Sequence, residues 1–383
     1  MILGTVGGVP FAHTVLGALR QFLPEYLATT PALSADQRRA LRAISHCRTA
    51  AMGGRALACT DCRQIHFAWH SCNHKACPQC GRASTAQWVQ RELQKLVEAP
   101  YFLVTFTLPA QLRTCFFGPF AKEAFDLFFA AISGALSEKL ATAKGLLATT
   151  SGFTAVLHTW NQQLGFHPHI HCLVPGAGLN EHGRFVRVPK PAYLVHLPLL
   201  QAAFREQLRE LFRVHDWQVD PAVWGKDWGV HIQPAGNGGA AFKYLGAYVA
   251  RTAISDGRLI RVDDRTVSFR WKNRAAGNRW ETSTVPGVEF VARYLRHVLP
   301  RGLRSIRYYG FCHPAARAKR LRVQCHAGGP VQFGASTPLP TPPAPLPLCP
   351  CCRQPMRLLL RIAPSYRQRG PPVVATPATS QPR

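Results

Sequence analysis

Acidic side chains are what this sequence is shortest of: 19 Asp and Glu stand against 46 Lys and Arg in 383 residues, a formal net charge of +27 at pH 7. So few carboxylates argue against a catalytic centre built from clustered Asp and Glu. The excess of positive charge calls for a polyanionic partner, for which nucleic acid is the usual candidate. A run of 18 apolar residues is also missing, so no membrane-spanning helix is expected. Met1 to Arg20 has no charged start followed by an apolar stretch and a cleavage site, which speaks against a secretory leader and for the cytoplasm. No Gly-x4-Gly-Lys-Ser/Thr loop is present to cradle nucleotide phosphates, and no segment repeats. With 47% hydrophobic residues the chain reads as globular.

Thirteen cysteines are present, and most sit in Cys-x-x-Cys pairs beside histidines. Without a secretory leader, that pattern reads as metal binding in a reducing compartment rather than as disulfides. Cys59-x2-Cys62 and Cys77-x2-Cys80 are 14 residues apart. Two knuckles of this kind supply four thiolates to one tetrahedral Zn²⁺, and four protein ligands make such a site structural. Cys47, Cys72 and His74, with His66 and His70, are further donors that could serve a second zinc. A short Cys349-Pro350-Cys351-Cys352 knuckle stands far downstream.

The hydrophobic pattern divides the chain into four parts. Residues 1–45 are helical, with Phe11, Val15, Leu16 and Leu19 at three- and four-residue steps and a capping box starting at Ser34. Residues 46–95 form the cysteine module. Residues 96–300 alternate strands with helices. Strands are expected at 101–108, 153–160, 170–174 and 230–233, with a meander over 259–284. Helices are expected at 120–147, 194–214, 242–253 and 288–298. Residues 301–383 comprise a basic segment, a proline-rich linker, the late knuckle and a Pro/Ser/Thr tail read as disordered. The whole predicts an α+β architecture: an antiparallel sheet flanked by helices, preceded by a small zinc-binding module.

Two short patterns carry the chemistry. In His167-Pro168-His169-Ile170-His171, residues two apart on a strand share a face, so His169 and His171 project together while Ile170 turns into the core. Two neighbouring imidazoles can hold a divalent ion, although hydrogen-bonded strand histidines would give the same pattern. His158 becomes a third ligand if its strand pairs antiparallel with it opposite His169 or His171. A register one residue off turns it away. In Lys243-Tyr244-Leu245-Gly246-Ala247-Tyr248, the tyrosines lie one helical turn apart and face the same way. Lys243 and Arg251 place positive charge beside them. A phenol attacks a phosphate effectively when a metal polarises the phosphorus and cations balance the developing charge. Packing of an aromatic helix face on a core is the competing explanation.

Taken together, a His-hydrophobic-His strand followed by Tyr-x3-Tyr on a helix resembles the HUH endonucleases, and more closely the rolling-circle transposases of the insertion sequence ninety-one family. The resemblance runs through Cys47-Arg48-Thr49, the cysteine module, 102–109, Leu157-His158-Thr159-Trp160, 167–176, 243–249, Gly277-Asn278-Arg279-Trp280 and Ile306-Arg307-Tyr308-Tyr309-Gly310-Phe311. It implies that His169 and His171 hold Mg²⁺ or Mn²⁺, with His158 at the spacing of the third ligand. It also implies that Tyr244 and Tyr248 nick and rejoin single-stranded DNA at the element's ends and target through a 5′-phosphotyrosine. The family often has His just before the last Cys pair, where this chain has Ala76; His74 stands two residues earlier. A relaxase or replication initiator would share the nicking chemistry. A zinc-dependent DNA-binding protein without catalysis would explain the charge and the cysteines, but not the histidine and tyrosine pairs.

Overall fold

The computed structural model describes residues 14–30, 32–80, 82–147, 149, 151–226, 228–249, 253–327 and 346–365, with the side chains of 82–84 and 247–249 excepted. Phe11 and Arg251 lie outside them. The chain begins with α1 (Val15–Thr29) and α2 (Ala35–His46). The capping box forms as the sequence indicates: the Ser34 hydroxyl accepts from the Gln37 amide at 3.1 Å, and the Gln37 side-chain carbonyl accepts from the Ser34 amide at 3.0 Å. A hairpin follows, β1 (Gly54–Cys59) and β2 (Ile65–Trp69), and then α3 (Arg82–Leu93).

The central layer starts with β3 (Tyr101–Thr107), α4 (Ala121–Ala141), β4 (Gly152–Trp160) and β5 (Phe166–Pro175). After a small hairpin of β6 (Ala177–Leu179) and β7 (Phe185–Arg187) come α5 (Leu197–Val214), β8 (Gly229–Pro234) and α6 (Gly239–Val249). The meander is β9 (Leu259–Val262), β10 (Thr266–Asn273) and β11 (Arg279–Pro286), leading into α7 (Gly287–Leu295). The chain continues through β12 (Ile306–Gly310) and α8 (Arg317–Ala327) to β13 (Met356–Ile362).

Five strands make the main sheet in the order β12-β4-β5-β3-β8, every neighbouring pair antiparallel. Its two faces differ. On one, the period-two set Phe102, Val104, Phe106, Ala155, Leu157, Ile170, Cys172 and Val174 packs on α4 and α5. Helix α5 presents Leu200, Phe204, Leu208 and Phe212 at four-residue steps, all fully buried. Each such side chain contributes about 1.5–3 kcal/mol by leaving water, so this face carries the stability. The other face is covered by α3, α6 and α8, whose Trp88, Phe242, Leu245 and Val323 pack on Tyr101, Val156 and Leu173. That cover leaves the histidine-bearing rungs of the sheet on the same side as α6.

A separate core unites the N-terminal helices with the meander. Val15, Leu16, Leu19 and Phe22 of α1 meet Phe269, Phe290, Val291 and Tyr294, and four buried cysteines lie in the same cluster. Hydrogen bonds tie the parts: the Tyr294 hydroxyl donates to the Ala76 carbonyl at 2.6 Å, and the Val15 amide to an Asp256 carboxylate oxygen at 2.8 Å.

Two sequence expectations are corrected. The main sheet takes its edge strand β12 from beyond residue 300, where the six Arg of residues 301–322 mask the short alternation. Residues 356–362, expected to belong to an unstructured tail, form β13 and pair antiparallel with β1, Cys59 opposite Met356 and Gly54 opposite Ile362. No helix among the described residues is long and apolar enough to cross a membrane.

Candidate active site and metal centres

β4 and β5 pair in the register that places His158 directly opposite His169. His171 is two residues further on the same face, opposite Thr105 of β3. The ladder shifts register between His158 and Trp160, where two residues of β5, His167 and Pro168, oppose the single Thr159 of β4. Pro168 falls in this bulge, so its missing N–H removes no ladder bond.

The three imidazoles form a compact trio. Ring centroids are 4.8, 4.9 and 5.0 Å apart, with every pair of rings nearly perpendicular. Their ligand nitrogens all lie within 4.8 Å of one another. Neighbouring oxygens set the orientation. The Nδ1 of His169 sits 2.7 Å from the His167 carbonyl oxygen, an acceptor, so Nδ1 carries the proton and Nε2 keeps its lone pair. The Nδ1 of His171 is 2.8 Å from the Thr105 hydroxyl, which anchors that ring in turn. Burial holds all three imidazoles neutral. It depresses His169 to about 4 and His171 to about 3, with the positive charge of Arg274 and the neighbouring imidazoles adding to the effect. His158 is pushed well below its ordinary value, first by burial and then by His171 and His169. Three neutral imidazoles with converging lone pairs fit a divalent ion on one side and leave its other side open for substrate. An all-nitrogen set suits Mn²⁺ better than the harder Mg²⁺, which prefers oxygen ligands.

Helix α6 lies across this face. The Tyr244 ring is 6.2 Å from the His171 ring at 81°, and Tyr244 is 38% exposed, open to a substrate. Gly246 allows the close approach of α6 to α3, since a Cβ there would meet the Val89 side chain at 2.0 Å. Lys243 is exposed on the same helix. Tyr248 is one turn beyond Tyr244 on α6; its side chain, like the whole of Arg251, lies outside the described residues.

Several neighbours were not anticipated. Arg274, in the turn between β10 and β11, is close enough to depress both His169 and His171. The same hairpin carries Trp280, 54% exposed, with Arg270 and Lys272 over its ring at 5.1 and 5.3 Å. Arg113 contacts His167 Nδ1 at 2.8 Å behind the trio. A basic hairpin turn was visible in the sequence at Lys272-Asn273-Arg274, but only the tertiary fold brings it to the histidines.

The cysteines group differently from the expected set. Cys59 and Cys62 do not share a cluster with Cys77 and Cys80. Instead, Cys47, Cys72, Cys77 and Cys80 converge, all buried, with Cys80 Sγ 3.7 Å from Cys47 and 3.8 Å from Cys72. Tetrahedral Zn²⁺ with Zn–S near 2.3 Å requires sulfurs about 3.8 Å apart. The reason for the regrouping is the β1–β2 hairpin. Cys59 and Cys62 are at its tip, while Gly54 pairs with Trp69 at its base, just before Cys72. Five residues of extended strand separate tip from base, about 16 Å, too far for one ion. His74 is not part of the cluster; its Nδ1 accepts from the Ala76 amide at 3.2 Å. Arg20 lies behind the thiols and donates to the Cys47 carbonyl at 2.5 Å, a cation placed to offset the charge of a tetrathiolate site.

Comparison with known proteins adds a second line of observation. A family model described as "Putative transposase" matches residues 152–320, and one described as "Transposase zinc-binding domain" matches residues 18–108. The chain is 35% identical over 348 residues to a Sinorhizobium fredii protein named "Putative transposase y4qJ", covering 85% of this chain and 86% of that protein. It is 28% identical over 283 residues to the Pseudomonas savastanoi pv. phaseolicola transposase for insertion sequence element IS801, covering 69% of this chain and 67% of that one. No solved structure matches.

Proposed function

Because the chain belongs to the insertion sequence ninety-one family of transposases, we propose that the histidine trio and the tyrosine helix together nick and rejoin single-stranded DNA during rolling-circle transposition. The observation that carries this reading is the placement of Tyr244 beside three neutral, converging imidazoles on one face of the sheet. A divalent ion held by His158, His169 and His171 would polarise the scissile phosphate. The Tyr244 or Tyr248 oxygen attacks the phosphorus, the bond to the 3′ oxygen breaks, and a 5′-phosphotyrosine and a free 3′ hydroxyl result. The phosphoester energy is kept in the protein–DNA bond, so rejoining requires no nucleotide. Lys243 and Arg274 supply positive charge for the phosphates flanking the cut. Residues 96–320 serve as the catalytic unit, and the cysteine-bearing N-terminal module supports it.

Incubation of the full chain with a single-stranded oligonucleotide from the element's end and Mn²⁺ is expected to give an adduct stable in denaturant. EDTA should abolish it, and Mn²⁺ should support it better than Mg²⁺ because the ligands are all nitrogen. The absence of an adduct with oligonucleotides from both ends would refute the proposal.

Trp280 offers a stacking platform for an unpaired base, with Arg270 and Lys272 at its edges for the adjoining phosphates. Stacking is worth about 1–3 kcal/mol per base, so Trp280→Ala should weaken single-strand affinity by roughly tenfold or more in fluorescence anisotropy. Affinity should also fall steeply with salt as condensed counterions are displaced. A variant that binds like the wild type would show that the strand passes elsewhere.

A further inference from the structure

We propose that Cys59, Cys62, Cys349 and Cys352 hold a second Zn²⁺, separate from the Cys47–Cys72–Cys77–Cys80 site, and that this ion fastens the C-terminal segment to the N-terminal module. The four sulfurs come together although the facing cysteines are 293 and 287 residues apart in the chain: Cys59 Sγ lies 3.4 Å from Cys352 Sγ, and Cys62 Sγ lies 3.7 Å from Cys349 Sγ. These separations match a tetrahedral tetrathiolate, whose sulfurs are about 3.8 Å apart around Zn²⁺. They are far from the roughly 2.05 Å of a disulfide.

The two halves are built alike. Each reads Cys-x-x-Cys-Arg-Gln: Cys59-Thr60-Asp61-Cys62-Arg63-Gln64 and Cys349-Pro350-Cys351-Cys352-Arg353-Gln354. In each, the first cysteine's amide donates to the glutamine carbonyl, at 3.0 Å from Cys59 and 2.8 Å from Cys349. In each, the arginine takes a left-handed backbone, φ 54° at Arg63 and 64° at Arg353. This conformation is unusual for a non-glycine residue. Finding it twice at the same place in two knuckles marks a common tight turn that aims both thiols of a pair at one point. The two turns face each other because β13 continues from the second knuckle and pairs with β1, which leads into the first. His66 of β2 adds its Nε2 at 3.5 Å from Cys349 Sγ, placed to donate to a thiolate rather than to replace one.

Beyond the β1–β13 ladder, little apolar contact holds this junction. The apolar cluster around it is small, formed by Leu57, Cys59, Cys349 and Met356 with Cys352 packed against it. Leu358, Leu359 and Leu360 on β13 stay about half exposed. A strand docked with so little buried surface needs another fastening, and four thiolates with one ion supply it.

The test is the zinc content of the full chain purified under reducing conditions. The wild type is expected to carry two zinc per chain. Cys349→Ser with Cys352→Ser should carry one, and Cys351→Ser should keep two. A wild type with one zinc, or a double variant that still holds two, would overturn the proposal. Should the double variant fail to fold, cobalt titration of the metal-stripped wild type decides. Tetrathiolate absorption rising to two equivalents supports the second site, and saturation at one refutes it. A thiol count in denaturant without reductant that falls two or four short of 13 would also refute it, by showing disulfides. None of these readouts depends on the nicking reaction.

Discussion

With Tyr244→Phe and Tyr248→Phe combined, the denaturant-stable protein–DNA adduct is expected to vanish while single-strand affinity stays nearly unchanged. Binding rests on Arg, Lys and stacking, and removing two hydroxyl groups leaves these in place. Chemistry rests on an oxygen that Phe lacks, so the loss is complete rather than graded. The single variants separate the roles. Tyr244 is the one seen beside the trio, so Tyr244→Phe should block the first cut, and Tyr248→Phe should leave cutting and impair transfer to the target. The histidines are read in the same assay. His171→Ala would take away one ligand of the proposed ion, and losing several kcal/mol of phosphate stabilisation should slow the reaction by roughly 10³-fold or more. His158→Ala distinguishes a ligand from a supporting residue. Outer-shell partners typically cost about 10- to 100-fold in metal affinity, so a larger drop in Mn²⁺ affinity assigns His158 to the ion. A double tyrosine variant that still forms the adduct would place the nucleophile elsewhere in the chain.

The histidine pair was legible because strand periodicity alone puts His169 and His171 on one face, and the bulge at Pro168 leaves that alternation intact. His158 was legible only as a conditional. Its role depends on register, and register is set by the core-facing rows Leu157 and Ile170 rather than by the histidines themselves. The helix of the tyrosines was clear from its spacing; its position over the histidine face was not, since that depends on Gly246 fitting against Val89. The cysteines misled in an instructive way. Adjacent Cys-x-x-Cys pairs read as one site, yet a hairpin between them points one pair away from the other. The true partners are Cys47 and Cys72 for one pair and a knuckle some 290 residues downstream for the other. Spacing in sequence limits which thiols can meet but cannot show that β13 comes back to β1. Arg274 was hidden for the same reason: nothing local distinguishes a surface turn from one that fold topology brings to the histidines.

Cys72→Ser is expected to have an effect well outside the cysteine cluster. Structural zinc in small modules contributes apparent binding free energies of about 10–16 kcal/mol at pH 7, and such modules unfold without metal. Here the cluster does not stand alone. Its four cysteines share a core with Val15, Leu16 and Phe22 of α1, with Phe269 of β10 and Phe290 of α7, and with Leu164 in the turn between β4 and β5. That turn is further held by His297, whose Nε2 donates to the Leu164 carbonyl at 3.1 Å. Loss of the zinc therefore loosens the hairpin whose strands carry His158, His169 and His171. The variant should lack one zinc, melt at a clearly lower temperature, and bind Mn²⁺ more weakly although no histidine has been changed. Arg20 would be left as a half-buried cation beside sulfurs that have lost their ion, which adds to the destabilisation. Calorimetry and Mn²⁺ titration on the same preparation check both parts. Unchanged Mn²⁺ affinity in a variant that has lost this zinc would mean that the β4–β5 hairpin is held by the α4–α5 core alone, and that the cysteine core and the reactive face are energetically independent.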